Sequence, residues 1–168
     1  KMIVPLWRHG QAGSAPSDRL RQLTGTGTDD IGFGCHQLHV ACEGRGITAP
    51  GTLLHSPWVR TTQTADIIAT AFSHASIQPE TALQPGSNIP AVDRVLQQLL
   101  ETRGAEQHAV LVCHQPLVSY LIDHYLGESG TVPPLTPGGL ATLTMDVPAA
   151  ACARLLFWAL PPEYEAGL

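Results

Sequence analysis

Apolar residues in this chain come in short runs, several of which break at a histidine or a serine. Met2 to Trp7 is an unbroken apolar run and predicts a short buried strand ending at Arg8-His9. A Gly/Ser/Pro-rich stretch from Gly10 to about Gly27 reads as a loop, and weak helical periodicity follows from about Thr28 to Cys42, across Gly32 and Gly34. Thr52 to His55 reads as a second strand. Ser56-Pro57 then opens a helix, with Ser56 expected as its N-cap, Pro57 at the first helical position and an end near Ser73. The stretch around Gln78-Pro79-Glu80 is strand and loop without a clear period. Ile89 to Arg103 is amphipathic, with Val92, Val95, Leu96, Leu99 and Leu100 on one face. His108 to Cys113 is the clearest buried strand, and His114-Gln115-Pro116 turns at once into a helix over Leu117 to Leu126. Gly138 to Asp146 and Cys152 to Leu160 read as two closing strands. Alternating strands and helices imply an α/β fold with helices on both faces of one sheet. Ligands of such sheets sit beyond the carboxyl ends of the strands, which directs attention to Arg8-His9, Ser56 and His114.

Composition narrows the class. The chain has 168 residues, 43% hydrophobic and 14% charged, enough for one domain with a real core. A formal net charge of -5 argues against nucleic-acid binding through the overall field, though nearby groups can still make one cleft basic. No apolar run approaches the roughly 20 residues of a membrane span, and the first strand runs into Trp7-Arg8-His9 rather than continuing as a signal segment. A cytoplasmic location is expected. Cys35, Cys42, Cys113 and Cys152 form no CxxC, so neither disulfides nor a zinc site is expected, and Cys35 and Cys42 fit one helical face in the core.

The chemistry gathers at three strand ends: Arg8, His9, Arg60 and His114. Two arginines and two histidines, with no acidic partner in the same motifs, describe a pocket for a tetrahedral dianion. A guanidinium offers a rigid fork of donors and stays protonated, and the helix starts after Ser56 and His114 would add free N–H groups. Arg21 reads as either a loop charge or a further phosphate or substrate ligand, Trp58 as core packing or a pocket wall, and Gln115 as another wall. The six remaining histidines read as ordinary residues, with a supporting role open to His55. Arg19, Arg45, Arg94, Arg103 and Arg154 read as surface charges.

Leu6-Trp7-Arg8-His9-Gly10 resembles the RHG signature of the histidine phosphatase superfamily. Ser56-Pro57-Trp58-Val59-Arg60-Thr61-Thr62-Gln63-Thr64-Ala65 resembles its SPxxRxxQTA motif, and Val110 to Pro116 its late strand ending in a second histidine, in the form found in SixA-type phosphohistidine phosphatases. Leu20-Arg21-Gln22-Leu23-Thr24 with Gly27 is similar to the RPLTxxG loop, with Gln22 for proline, and Leu135 to Gly139 before a strand also fits. The resemblance implies one three-layer α/β/α domain over 1–168, phosphoglycerate-mutase-like, with a mixed, mostly parallel sheet. It implies a bacterial enzyme without cofactor or metal, monomeric and acting on a phosphohistidine-containing protein of a phosphorelay or phosphotransferase system, with no nucleic-acid or membrane partner. His9 would be phosphorylated, Arg8 and Arg60 would clamp the phosphoryl oxygens, and His114 would add a donor. Nδ1 or Nε2 of His9, whichever does not attack, would donate to a backbone carbonyl near Gly10. Mutase-like relatives add a carboxylate as general acid. Glu80 lies in the right stretch without the right context, and Asn88 falls roughly where an acidic residue of SixA-like proteins would align. A missing acid suits the labile P–N bond of phosphohistidine. The alternatives are a phosphomonoesterase for small molecules with Glu80 as acid, or a non-catalytic phosphoprotein-binding module.

Overall fold

The computed structural model describes residues 1–165; the last three positions of the expected 1–168 domain lie outside the described residues. Six strands form one sheet: β1 (Met2–Arg8), β2 (Thr52–His55), β3 (Ser76–Pro79), β4 (Gln107–Cys113), β5 (Leu140–Met145) and β6 (Ala153–Ala159). Their spatial order is β3-β2-β4-β1-β5-β6. The pairs β3–β2, β2–β4 and β4–β1 are parallel, whereas β5 runs antiparallel to both β1 and β6. Five of the six strands therefore share a direction, and the sheet is mixed but mostly parallel.

Side-chain alternation explains the layers. In β1, Met2, Val4 and Leu6 point to the face covered by α3 (Ile89–Arg103) and α4 (Leu117–Leu126). Trp7 points to the other face, beneath α1 (Gly25–Gly44) and α2 (Val59–Ala71). With both faces covered, the central strands read as continuous apolar runs instead of alternating. At one edge, β3 is short, largely exposed and ends in Pro79, features that discourage further strand pairing.

Element boundaries differ from the sequence reading in instructive ways. The first helix begins at Gly25, earlier than expected, because the Thr24 side chain accepts a hydrogen bond from Gly27 N at 3.0 Å and caps it. Ser56 is not an N-cap. The second helix starts at Val59 after Trp58, which leaves Pro57 outside the helix, and it ends at Ala71. Ser56 Oγ instead accepts from Trp58 N at 3.3 Å and lies 2.8 Å from His114 Nε2. Asn88 caps α3 through Ala91 N at 2.9 Å, a structural duty that explains its place. Within the Gly10–Gly27 loop, a 3-10 turn spans Asp18–Leu20 and Ala12 bridges to Leu23.

Gly34 shows why a helix of modest propensity persists. A Cβ there would lie 2.9 Å from the Tyr164 ring and 3.0 Å from that of Trp7. The two aromatic side chains both donate to Gly138 O at 2.7 Å, so neither is free to retreat. Tertiary packing sets this glycine and outweighs its cost to the helix. Gly32, two residues earlier and exposed, has nothing within 4 Å of such a Cβ. Gly34→Ala is expected to destabilise the fold by about 1–3 kcal/mol through overpacking, and Gly32→Ala to stabilise it by about 0.5–1 kcal/mol. Urea unfolding of the two variants checks both signs.

Candidate active site

Strand register aligns the three chemical junctions. Arg8 is paired with Cys113 and His55 with Val112, so the ends of β1, β4 and β2 finish side by side. Beyond them, His9 N donates to Cys113 O and Ser56 N to Val112 O, each at 3.1 Å. The residues that follow each strand, His9, Ser56 and His114, are thereby brought to one place. His9 and His114 have ring centroids 5.4 Å apart.

His9 is held in one tautomer. Its Nδ1 lies 2.7 Å from Gly10 O, which can only accept, so Nδ1 carries the proton and Nε2 keeps its lone pair. Arg60 Nε donates to that Nε2 at 3.1 Å. Burial pushes the His9 pKa down to about 4, assisted by the Arg60 and Arg8 charges and opposed by the Gly10 hydrogen bond. His114 is pushed down to about 3 by burial first, then by His9 and Arg60. Both rings are neutral near pH 7.

The second motif positions Arg60 through neighbours that had no assigned duty. Thr64 Oγ1 donates to Arg60 O at 2.8 Å and accepts from Gly10 N at 3.1 Å, tying the helical turn that carries Arg60 to the backbone beside His9. Gln63 Oε1 accepts from Leu23 N at 2.8 Å and fastens the preceding loop. Arg8 Nη1 donates to Leu135 O at 2.8 Å, a carbonyl that Gln115 Nε2 also reaches at 3.2 Å. Burial, then the charges of Arg60 and Arg21, lower the Arg8 pKa. Arg21 is fixed by Gly13 O at 2.8 Å and Ala12 O at 3.3 Å. Trp58 is half-buried, edge-on to the His114 ring at 5.4 Å and 5.1 Å from the Arg60 guanidinium, so it lines the cleft.

The structure thus brings together His9, Arg60 and His114 by direct contact, links Arg21 to Arg60 through Asp18, and holds Arg8, the residue before His9, on Leu135 O. Sequence reasoning missed Asp18. Its Oδ2 is 3.3 Å from Arg60 Nη2 and its Oδ1 3.0 Å from Arg21 Nη1. The spacing Asp18-x-x-Arg21 was the available signal, since residues three apart in a tight turn share a face. Glu80 lines a different cleft with Leu54, Val95 and Arg103, and makes no side-chain hydrogen bond to these groups. His55 donates from Nδ1 to Ser56 O at 2.8 Å and supports the backbone at that junction. Among the described residues no three His, Cys, Asp or Glu side chains cluster as metal ligands, and no helix is long and apolar enough to cross a membrane. Their four cysteines are free.

Solved structures share this architecture. A protein histidine phosphatase SixA complexed with tungstate superposes with a TM-score of 0.75 at 25% identity, over 95% of this chain and 97% of that one. A protein from Agrobacterium tumefaciens described as a phosphohistidine phosphatase SixA gives 0.70 at 24% identity, over 95% and 97%. A mycobacterial glucosyl-3-phosphoglycerate phosphatase gives 0.68 at 14% identity, over 91% and 96%. No protein-family model and no curated relative matches the chain. The fold is phosphoglycerate-mutase-like, and it is similar to that of SixA-type phosphatases of the histidine phosphatase superfamily.

Burial of neutral histidines makes stability depend on pH. Between an ordinary imidazole pKa near 6.5 and the depressed folded values, the unfolded chain binds more protons than the folded one. The stabilisation is therefore complete above about pH 6.5 and is lost as pH falls toward about 4 for His9 and about 3 for His114. Urea unfolding at pH 7 and pH 5 is expected to differ by about 1–2 kcal/mol per histidine, and the difference should shrink in His114→Gln.

Proposed function

We propose that this protein is a phosphohistidine phosphatase that works through a phosphorylated His9. The observation that carries the reading is the fixed tautomer of His9, with Nδ1 on Gly10 O and the Nε2 lone pair facing a guanidinium. A nucleophile of this kind needs no base, because the attacking nitrogen is already deprotonated at neutral pH.

The reaction has two displacements. In the first, the Nε2 lone pair attacks phosphorus, the bond from phosphorus to the substrate imidazole breaks, and that imidazole leaves with its electron pair and takes a proton from solvent. In the second, water attacks phosphorus, the bond to Nε2 breaks, and inorganic phosphate departs after losing the water's proton. Arg60 must turn its Nε from His9 to a phosphoryl oxygen as substrate enters, which frees the lone pair and neutralises the charge that builds on the oxygens. Arg8, Arg21 and His114 serve the same oxygens. Cationic side chains carry this stabilisation, so no divalent ion is called for.

A phosphoprotein substrate fits the leaving group. An imidazole departs with less acid assistance than an alkoxide, for which a general acid is worth about 10²–10⁴-fold. The second reading, a phosphomonoesterase for small molecules, requires such an acid, and Glu80 would have to supply it. A binding module without catalysis is a third reading. The protein acts, on this proposal, in the cytoplasm as a single 1–168 domain and a monomer.

Alkaline quench followed by mass spectrometry is expected to find an acid-labile phosphate on His9, and His9→Ala should lose at least about 10³-fold in kcat. Turnover of a phosphohistidine carrier protein should exceed that of a sugar phosphate in kcat/KM, with activity unchanged by chelator and inhibited by vanadate. Normal turnover by His9→Ala would sink the mechanism. A preference for sugar phosphates that Glu80→Gln abolishes would transfer the assignment to the second reading.

A further inference from the structure

A phosphate clamp works by offering unmatched positive charge, yet one carboxylate sits across this one. Asp18 Oδ2 is 3.3 Å from Arg60 Nη2 and Asp18 Oδ1 is 3.0 Å from Arg21 Nη1. The Asp18 main-chain oxygen separately accepts from Arg60 Nη1 at 2.8 Å. The side chain remains 57% exposed, whereas that of Arg60 is 6% exposed. The anion therefore approaches the buried cation from the solvent side, the direction from which a substrate phosphate also arrives.

We propose that Asp18 is an internal competitor for the phosphate site, a specificity-determining residue whose carboxylate must leave Arg60 and Arg21 before phosphoryl oxygens can bind them. The proposal rests on the reading of this cleft as a phosphate site. Two features make the exchange feasible. Asp18 belongs to a 3-10 turn of three residues with extended backbone on either side, and its carboxylate can swing into solvent by side-chain rotation. Both arginines stay in place when it does, because Arg60 keeps the Asp18 carbonyl and Arg21 keeps those of Gly13 and Ala12.

The same geometry argues against Asp18 as a general base. Its hydrogen bond to Arg21, then the charge of Arg60, hold the carboxyl below the ordinary carboxylate range. A group so weakly basic removes a proton from water poorly. Its charge acts instead as a threshold. Inorganic phosphate or a small ester, which grips the site by its phosphoryl group alone, must displace the carboxylate with no other gain. A phosphorylated protein adds contacts outside the cleft that offset the displacement, and product phosphate, lacking them, is expelled.

The test is phosphate affinity in the full chain, by titration calorimetry and by Trp58 fluorescence. Asp18→Asn and Asp18→Ala are each expected to bind inorganic phosphate about three- to tenfold more tightly than the parent protein, the effect of losing one or two partly exposed ion pairs. Phenyl phosphate should gain in kcat/KM by a similar factor, and a phosphohistidine protein by less. Unchanged or weaker phosphate binding in both variants, with urea unfolding showing them folded, would mean that the carboxylate only positions the arginines and would overturn the proposal while leaving the phosphate site intact. Absence of phosphate binding in the parent protein and both variants would overturn the phosphate-site reading itself, and this inference with it.

Discussion

The hydrogen bond from His9 Nδ1 to the carbonyl of its own neighbour, Gly10, is the constraint on which the site depends. It selects the tautomer and leaves Nε2 free to accept from Arg60. The chain that follows β1 lies against the start of α1, where Thr24 N donates to Gln11 O. Gly27 makes that approach possible: a Cβ there would fall 2.2 Å from Gln11 O. A capped helix start, a close backbone contact and the tautomer of His9 thus meet in one arrangement.

Burial and charge act together on this ring. Taking an imidazole out of water favours its neutral form, and a guanidinium beside it does the same. For the nucleophile proposed here the usual conflict between burying a group and keeping it reactive is absent, since a neutral imidazole is the form that attacks. The cost falls on the arginines, whose desolvation lowers their affinity for protons without approaching neutral pH. Several cations share one cleft because backbone carbonyls at Leu135, Asp18, Gly13 and Ala12 each take one of their N–H groups.

Much of this was legible in the sequence, for physical reasons that vary from residue to residue. β1 and β4 were readable because strands buried on both faces are continuously apolar, and because each run stops at a histidine that a core would exclude. α3 was readable from its amphipathic period. Ser56 was misread because serine before proline is a good helix-start signal locally, whereas its hydroxyl is claimed by His114, distant in sequence. The start of α1 was misplaced because glycines suggested loop where Thr24 supplies a cap. Asp18 was missed for a related reason: it lies outside the histidine and arginine motifs and reaches Arg60 from a separate turn. Contacts of long sequence separation carry no local pattern.

The net charge of -5 and the cationic cleft are compatible because they act over different distances. Exposed charges are screened beyond about 8 Å at physiological ionic strength, so the overall field neither draws in nor holds a phosphate. On the proposed function, selection happens at contact, where guanidinium forks and two neutral imidazoles would meet the phosphoryl group. A site that gains little from long-range attraction must gain from shape and from what surrounds the phosphate. The surroundings here include Trp58, edge-on to His114 beside the cleft. An apolar ring there is of little use to a free phosphate ion and of use to whatever group carries the phosphate, so discrimination at such a cleft rests on the carrier more than on the phosphoryl group.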